Sequence, residues 1–246
     1  MKNKIFIILL YFIFISENFL KADEFIIESE EVKILEKGNI TEAKKGVKII
    51  SNDGIEIRSN ELIYNKKKNI LKVSGDVQIK DKKNNITTEG EEYIYYKNIE
   101  KLESIGKTSS QIQDKYIIES LDLIYERNLS KIHSQNKSNI IDKNNNIFSF
   151  EKFEFNINSN ILKAKNLSLL DNSNNQYYLS FAVVNLEENK FLGSDISIDF
   201  EDNLFGNNEN NPRLKANSLI AENDETKVYK GSFTTCKENN EKCPPW

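Results

Sequence analysis

The chain has 246 residues, a mass of 28.5 kDa and a formal charge of -4, with 34 Lys and Arg set against 38 Asp and Glu. That length fits one large or elongated domain or two small ones, and a hydrophobic share of 38% beside 29% charged residues supplies only a thin core. The near-balanced charge offers no basic stripe for nucleic acid, and one His, one Met and two Cys leave little for metal or nucleophile chemistry, so the composition is that of a scaffold with no cofactor expected.

In chain order, Lys2 and Lys4 precede an apolar run from Ile5 to Ile15, then a polar stretch and Leu20-Lys21-Ala22. A positive start, a short apolar stretch and a small residue at the cleavage point form the pattern of a secretory signal peptide, here residues 1–22. The run is shorter than the roughly 20 residues a membrane span needs; an uncleaved anchor is the alternative. No Cys follows to carry a lipid. The mature chain is expected to begin near Asp23, in an exported, oxidising compartment.

Beyond that point the sequence repeats itself. Ile55-Glu56-Ile57 to Leu62-Ile63-Tyr64-Asn65 is followed by Leu71-Lys72-Val73-Ser74-Gly75-Asp76-Val77. The same grammar returns around Tyr93-Ile94-Tyr95, Leu121-Asp122-Leu123-Ile124-Tyr125 and Phe153-Glu154-Phe155. The anchors Tyr64, Tyr95, Tyr125 and Phe155 stand about 30 residues apart. Weaker copies begin at Phe25 upstream and near Tyr177 and Leu214 downstream, for seven imperfect copies in all.

Within each copy apolar residues alternate with polar ones, the period of half-buried strands. Asn, Lys and Asp clusters such as 65–69, 81–85 and 142–146 read as turns. Strands at about 10-residue spacing without a helical stretch predict an all-β fold. Between Ile57 and Leu62 the alternation slips by one residue, which in a pleated strand requires a bulge or corner. The expected architecture is a stack of bent strands in two sheets around an apolar groove. A packed core that binds nothing is the plain alternative, but such a stack also ends in strand edges that must be covered or used.

The segments Leu62-Ile63-Tyr64-Asn65 and Leu71 to Val77 resemble the OstA-like domain of lipopolysaccharide transport, and the repeat grammar extends over about residues 25–235. Copies beyond Gly106 keep the alternation and lose the Gly-Asp-Val. That domain is shared by periplasmic bridge proteins of the LptA type, by LptC, and by the N-terminal part of the outer-membrane LPS-assembly family, LptD. Tyr229 to Cys236 and then Cys243-Pro244-Pro245-Trp246 resemble the junction that opens the β-barrel in the last of these. The resemblance therefore implies a domain over 23–235, an elongated β-jellyroll or V-shaped two-sheet stack, with 236–246 leading to a barrel absent from this sequence.

The resemblance implies a non-catalytic role: an apolar trough passes lipopolysaccharide acyl chains from a bridge protein toward an outer-membrane barrel, at the periplasmic face of the outer membrane. Trough positions are then Ile57, Leu62, Tyr64, Val77, Tyr93, Tyr95, Leu121, Leu123, Tyr125, Phe153 and Phe155. Phe25, Ile26 and Ile27 form the edge to which an LptA-like bridge protein adds a strand. An LptE-like lipoprotein is a partner only where the barrel is present. A freestanding LptA-type bridge protein is the alternative within the family.

Cys236 and Cys243 lie close together in an exported chain, so disulfide formation is expected. It occurs either locally or, as the resemblance suggests, with cysteines of the barrel. No metal site is expected of two thiolates lacking companion ligands, and His133, in the polar stretch 130–138, reads as a solvated residue. The pairs Glu30-Glu31, Glu91-Glu92 and Glu187-Glu188 raise a polysaccharide-cleaving enzyme, yet fall on polar positions or turns. An adhesin solenoid is a third possibility, against which the Thr234-Thr235-Cys236 junction speaks.

Overall fold

The structure is a computed structural model that describes residues 25–237 apart from 189, 203, 205, 207–209, 223 and 224. The expected signal peptide and most of the junction, Cys243 included, lie outside the described residues. What is described is all-β, with single 3-10 turns at Glu36–Gly38, Lys97–Ile99 and Arg127–Leu129.

The chain opens with β1 (Phe25–Glu28) and β2 (Glu31–Leu35), both paired with β3 (Ile40–Ser51). β4 (Ile55–Asn65), β5 (Ile70–Asp81), β6 (Ile86–Tyr96) and β7 (Lys101–Ile112) follow, each antiparallel to the last. The next three strands are broken at mid-length into β8 (Tyr116–Leu121) and β9 (Ile124–Glu126), β10 (Lys131–Ser134) and β11 (Ser138–Asp142), and β12 (Ile147–Phe150) and β13 (Lys152–Asn156). Register runs across the breaks: β7 pairs with β8 and β9, β8 with β11, β9 with β10, β11 with β12 and β10 with β13. β14 (Ile161–Leu170) pairs with both β12 and β13, and β15 (Gln176–Asn185), β16 (Lys190–Asp199), β17 (Arg213–Glu222) and β18 (Glu225–Thr234) continue the meander. With β1 and β2 counted as one strand and each of the three broken pairs as one, the eighteen described segments make fourteen strands, two for each of the seven sequence copies.

Each strand bends near its middle, where the sequence alternation slips. Register is interrupted between Lys44 and Val47, between Arg58 and Glu61, and between Ser74 and Val77. Left-handed backbone marks the bend on seven of the strands: at Lys45 and Gly46, Gly75 and Asp76, Gly106, Asp122, Asn166, Asp195 and Lys230. The Gly-Asp of the sequence motif is thus a corner: Gly75 has φ +78, a conformation glycine adopts without steric cost.

Bending every strand at the same level folds the meander into two half-sheets, face to face. One interior row runs across Ile49, Ile57, Ile79, Thr88, Ser110, Ile118, Ile140, Phe148, Leu169, Tyr177, Ile198 and Leu214. The other half-sheet carries a row through Tyr64, Leu71, Tyr95, Leu102, Tyr125, Ile132, Phe155, Leu162, Val184, Phe191, Ala221 and Thr226. The four aromatic anchors of the repeat therefore share one cross-strand row, all buried. Across one bend, the Thr88 and Tyr93 hydroxyls lie 2.8 Å apart.

The turns form ladders of their own. Lys66, Lys97, Arg127, Ile157 and Leu186 occupy one repeat position, each donating its backbone N–H to the carbonyl of the preceding turn, at Asn39, Asn69, Glu100, Ser130 and Asn160, over 2.8–3.0 Å. On the opposite lip, Asp142 and Asp171 each accept the backbone and side-chain amides of the Asn four residues on, Asn146 and Asn175.

Candidate functional site

Both lips, the two sets of turns, meet where the folded strands end, and their chemistry changes along the stack. In the N-terminal part they are clasped. Arg127 is 6% exposed, and its Nε donates to Asp81 Oδ2 over 2.8 Å and its Nη1 to Asp53 Oδ2 over 2.9 Å. Nη2 donates to the Asp53 carbonyl oxygen over 2.6 Å. Lys97 pairs with Asp53 from the neighbouring turn, and the Tyr125 hydroxyl donates to Asp81 Oδ2 over 3.0 Å.

Burial works against ionisation of Asp53, but hydrogen bonds from Lys97 and Ser51 and the charges of Lys97 and Arg127 outweigh it and hold the carboxyl at about 2. Asp81 is also lowered, burial again being overcome by Arg127, Asn84 and Tyr125. Burial raises the Tyr95 phenol, and its hydroxyl has no hydrogen-bond partner among the described residues. Behind the clasp the interior is packed: the gap between Ile55, Ile79, Ile86 and Tyr95, Leu102, Tyr125 amounts to about 10 Å³.

In the C-terminal part the lips, crossed by the Lys115–Glu187 ion pair at 3.0 Å, flank a cavity of about 430 Å³. Its walls include Phe148, Leu169, Leu179, Val184, Ile196 and Leu219, and the two last strands contribute Ala221, Thr226 and Val228. One row ends in small residues: Ala221 stands where four earlier copies place Tyr or Phe, and Thr226 where they place Leu or Ile, while the other row ends in Leu214 and Phe233. Side-chain volume runs out while the backbone spacing stays fixed, which leaves the void. Asp142, Asn146 and Asp171 form one lip and Asn185 and Leu186 line the other side. Burial raises the Tyr177 phenol to about 12, assisted by Asp171, to which it donates over 3.1 Å.

The expected trough residues Ile57, Leu62, Tyr64, Val77, Tyr93, Tyr95, Leu123, Tyr125, Phe153 and Phe155 are buried in the closed interior, and none of them lines the large cavity. Leu121 differs: it is 42% exposed, on the outer face, because the left-handed Asp122 reverses side-chain direction between Leu121 and Leu123. The cavity residues and Arg127 escaped the sequence reading. One signal was available, since the turn position that is Lys66, Lys97 and Arg127 in early copies becomes Ile157 and Leu186 later, while the opposing Asp persists at 81, 142 and 171.

At the N-terminal end, Phe25 is buried against Tyr64 and Tyr95, with ring centroids at 5.3 and 6.4 Å, whereas Ile26 faces outward and Ile27 packs on the core. Among the described residues β1, β2 and β18 pair on one side only. Val32 and Val228, on the interior faces of these edges, are exposed. Cys236 accepts a hydrogen bond at its carbonyl from Arg213 over 3.0 Å; its expected partner Cys243 lies outside the described residues.

His133 lies on the outer face with Nε2 3.3 Å from Glu126 Oε2, and burial lowers its basicity against the pull of Glu126. Members of the acidic pairs are engaged with cations, Glu92 with Lys72 at 2.8 Å and Glu187 with Lys115 at 3.0 Å. Among the described residues no cluster of three or more His, Cys, Asp or Glu is placed to hold a metal ion, and no helix is long and apolar enough to cross a membrane.

No curated protein matches the chain. Among solved structures it is similar to LptH of Pseudomonas aeruginosa, described as the LptA homologous periplasmic component of a conserved lipopolysaccharide transport device. Identity is 11%, over 57% of this chain and 81% of that one, with a TM-score of 0.26. Residues 12–114, which include the Gly75-Asp76 corner and the Tyr64 and Tyr95 anchors, match the model of a family described as OstA-like protein.

Proposed function

We propose that the chain is a non-catalytic carrier of lipopolysaccharide in the periplasm, sheltering acyl chains between its half-sheets while sugars stay in water. The observation that carries this reading is the apolar interior that runs the length of the stack and opens into the 430 Å³ cavity. Each methylene moved from water into such an interior gains about 0.8 kcal/mol, so a chain can be held without polar contacts. The OstA-like match over 12–114 supports the substrate class.

In the finer form of the proposal, an LptA-like bridge protein adds a strand at Phe25, Ile26 and Ile27, and the chain is the periplasmic part of an LptD-type assembly protein. The Tyr229 to Cys236 segment leads there, with Cys236 in a disulfide to Cys243 or to the barrel, and an LptE-like lipoprotein assembles on that barrel. A freestanding bridge protein is favoured instead by β18, which offers a second one-sided edge among the described residues.

Photo-crosslinking residues placed in cells at Tyr95, Tyr125, Val184 and Phe191 test the reading. Lipopolysaccharide adducts are expected at one or more of these positions, and their persistent absence along the whole stripe would mean a closed core.

A further inference from the structure

The interior is divided. Up to Phe148 its two rows are filled by buried side chains, large except for the hydrogen-bonded pair Thr88 and Ser110, and its lips are held by Arg127, Lys97, Asp53 and Asp81. Beyond Phe148 the turn cations are replaced by Ile157 and Leu186, and one of the rows ends in Ala221 and Thr226. At about 30 Å³ for a water-sized group, the cavity of about 430 Å³ holds on the order of fourteen methylene-sized groups, one medium acyl chain.

The lips say what head such a chain carries. No Lys or Arg lines the cavity among the described residues; the charged groups that line it are the carboxylates of Asp142 and Asp171, and the nearby Lys115 is engaged by Glu187 at 3.0 Å. Asp171 accepts four hydrogen bonds from its own turn and Tyr177, whereas Asp142 accepts three from its turn. With about four acceptor positions on a carboxylate, Asp142 has room for a donor from outside. An anionic head would meet like charge here, and a hydroxylated one would find acceptors.

We propose that ligand binding is confined to this C-terminal section and that the section takes one acyl chain bearing an uncharged, hydroxylated head. The proposal rests on the reading of the chain as an acyl-chain carrier; the phosphorylated part of a larger lipid then lies away from these lips.

The test uses the full chain with two probes of equal tail, monomyristoylglycerol and myristate, by displacement of an environment-sensitive fluorophore and by calorimetry. Monomyristoylglycerol is expected to bind with one molecule per chain and more tightly than myristate. Ala221→Trp, which places an indole in the void, is expected to weaken binding by about tenfold, the worth of about two methylenes denied burial. Leu214→Trp, at a half-buried wall position, serves as a second filling variant, and both are checked for an unchanged thermal transition.

Val32→Trp, on the exposed interior face of the N-terminal edge, is expected to leave binding unchanged. Loss of binding in Val32→Trp with retention in both filling variants would place the ligand in the N-terminal section and overturn the proposal, leaving the carrier function intact. Two or more molecules per chain, or myristate binding as tightly as monomyristoylglycerol, would overturn it as well. Failure of every acyl probe to bind would sink the carrier reading itself.

Discussion

Arg127 stands out among single residues because it is a buried cation answered by two carboxylates, Asp53 and Asp81, from turns of the opposite lip. Removing one partner of a buried ion pair leaves the others uncompensated, at a cost of about 3–5 kcal/mol. Arg127→Met is therefore expected to lose about that much stability in urea unfolding. The pH dependence has a definite sign. Asp53 titrates at about 2 when folded against an ordinary 3.8, so its contribution is complete above that ordinary value and disappears as the pH falls toward 2. The acid-unfolding midpoint of Arg127→Met should lie at higher pH than that of the unaltered chain; an unshifted midpoint would mean that the clasp contributes nothing. The same residue was illegible in the sequence, where a lone Arg in an Asn-rich turn reads as a solvated charge.

At the scale of the element, the decisive feature is the corner. A straight strand of 12 residues such as β5 would extend one flat sheet; the left-handed Gly75 and Asp76 at mid-strand fold it in two. Gly75 is the corner where a side chain is least tolerable, since its φ is +78 and an added Cβ would stand 2.9 Å from that of Asn60. Gly75→Val should cost about 1–3 kcal/mol, measured as a lowered urea midpoint, with the all-β circular dichroism spectrum retained. This level was readable in advance. The slip between Ile57 and Leu62 required a bend, and the register breaks of β3 to β5 lie there. The exception was Leu121, whose place on the outer face depends on Asp122 taking a left-handed conformation that alternation alone does not reveal.

For the whole molecule, the consequence of a one-way meander is two edges. β1 and β2 begin it and β18 ends it, each with pairing on one side among the described residues. Such edges invite strand addition. In an antiparallel edge, alternate residues turn their N–H outward, so of Ile26→Pro and Ile27→Pro one removes an outward donor and the other a donor to β3. The first is expected to weaken docking of an LptA-like bridge protein without lowering stability, as measured by pull-down alongside thermal unfolding. Equal docking by both variants would place the contact elsewhere, β18 being the next surface to probe.

By itself the sequence determined the all-β character, the bends and the apolar interior, because those follow from alternation, turn chemistry and a short-range repeat. Only the tertiary structure decided where that interior is open. The clasp joins residues 46 and 74 positions apart that meet only once every strand has been folded in half. The cavity exists because side chains from seven strands and their turns, too small to fill a fixed inter-sheet spacing, converge at one end. Alternation specifies that a residue points inward; how much space remains when it does depends on what faces it from the other half-sheet.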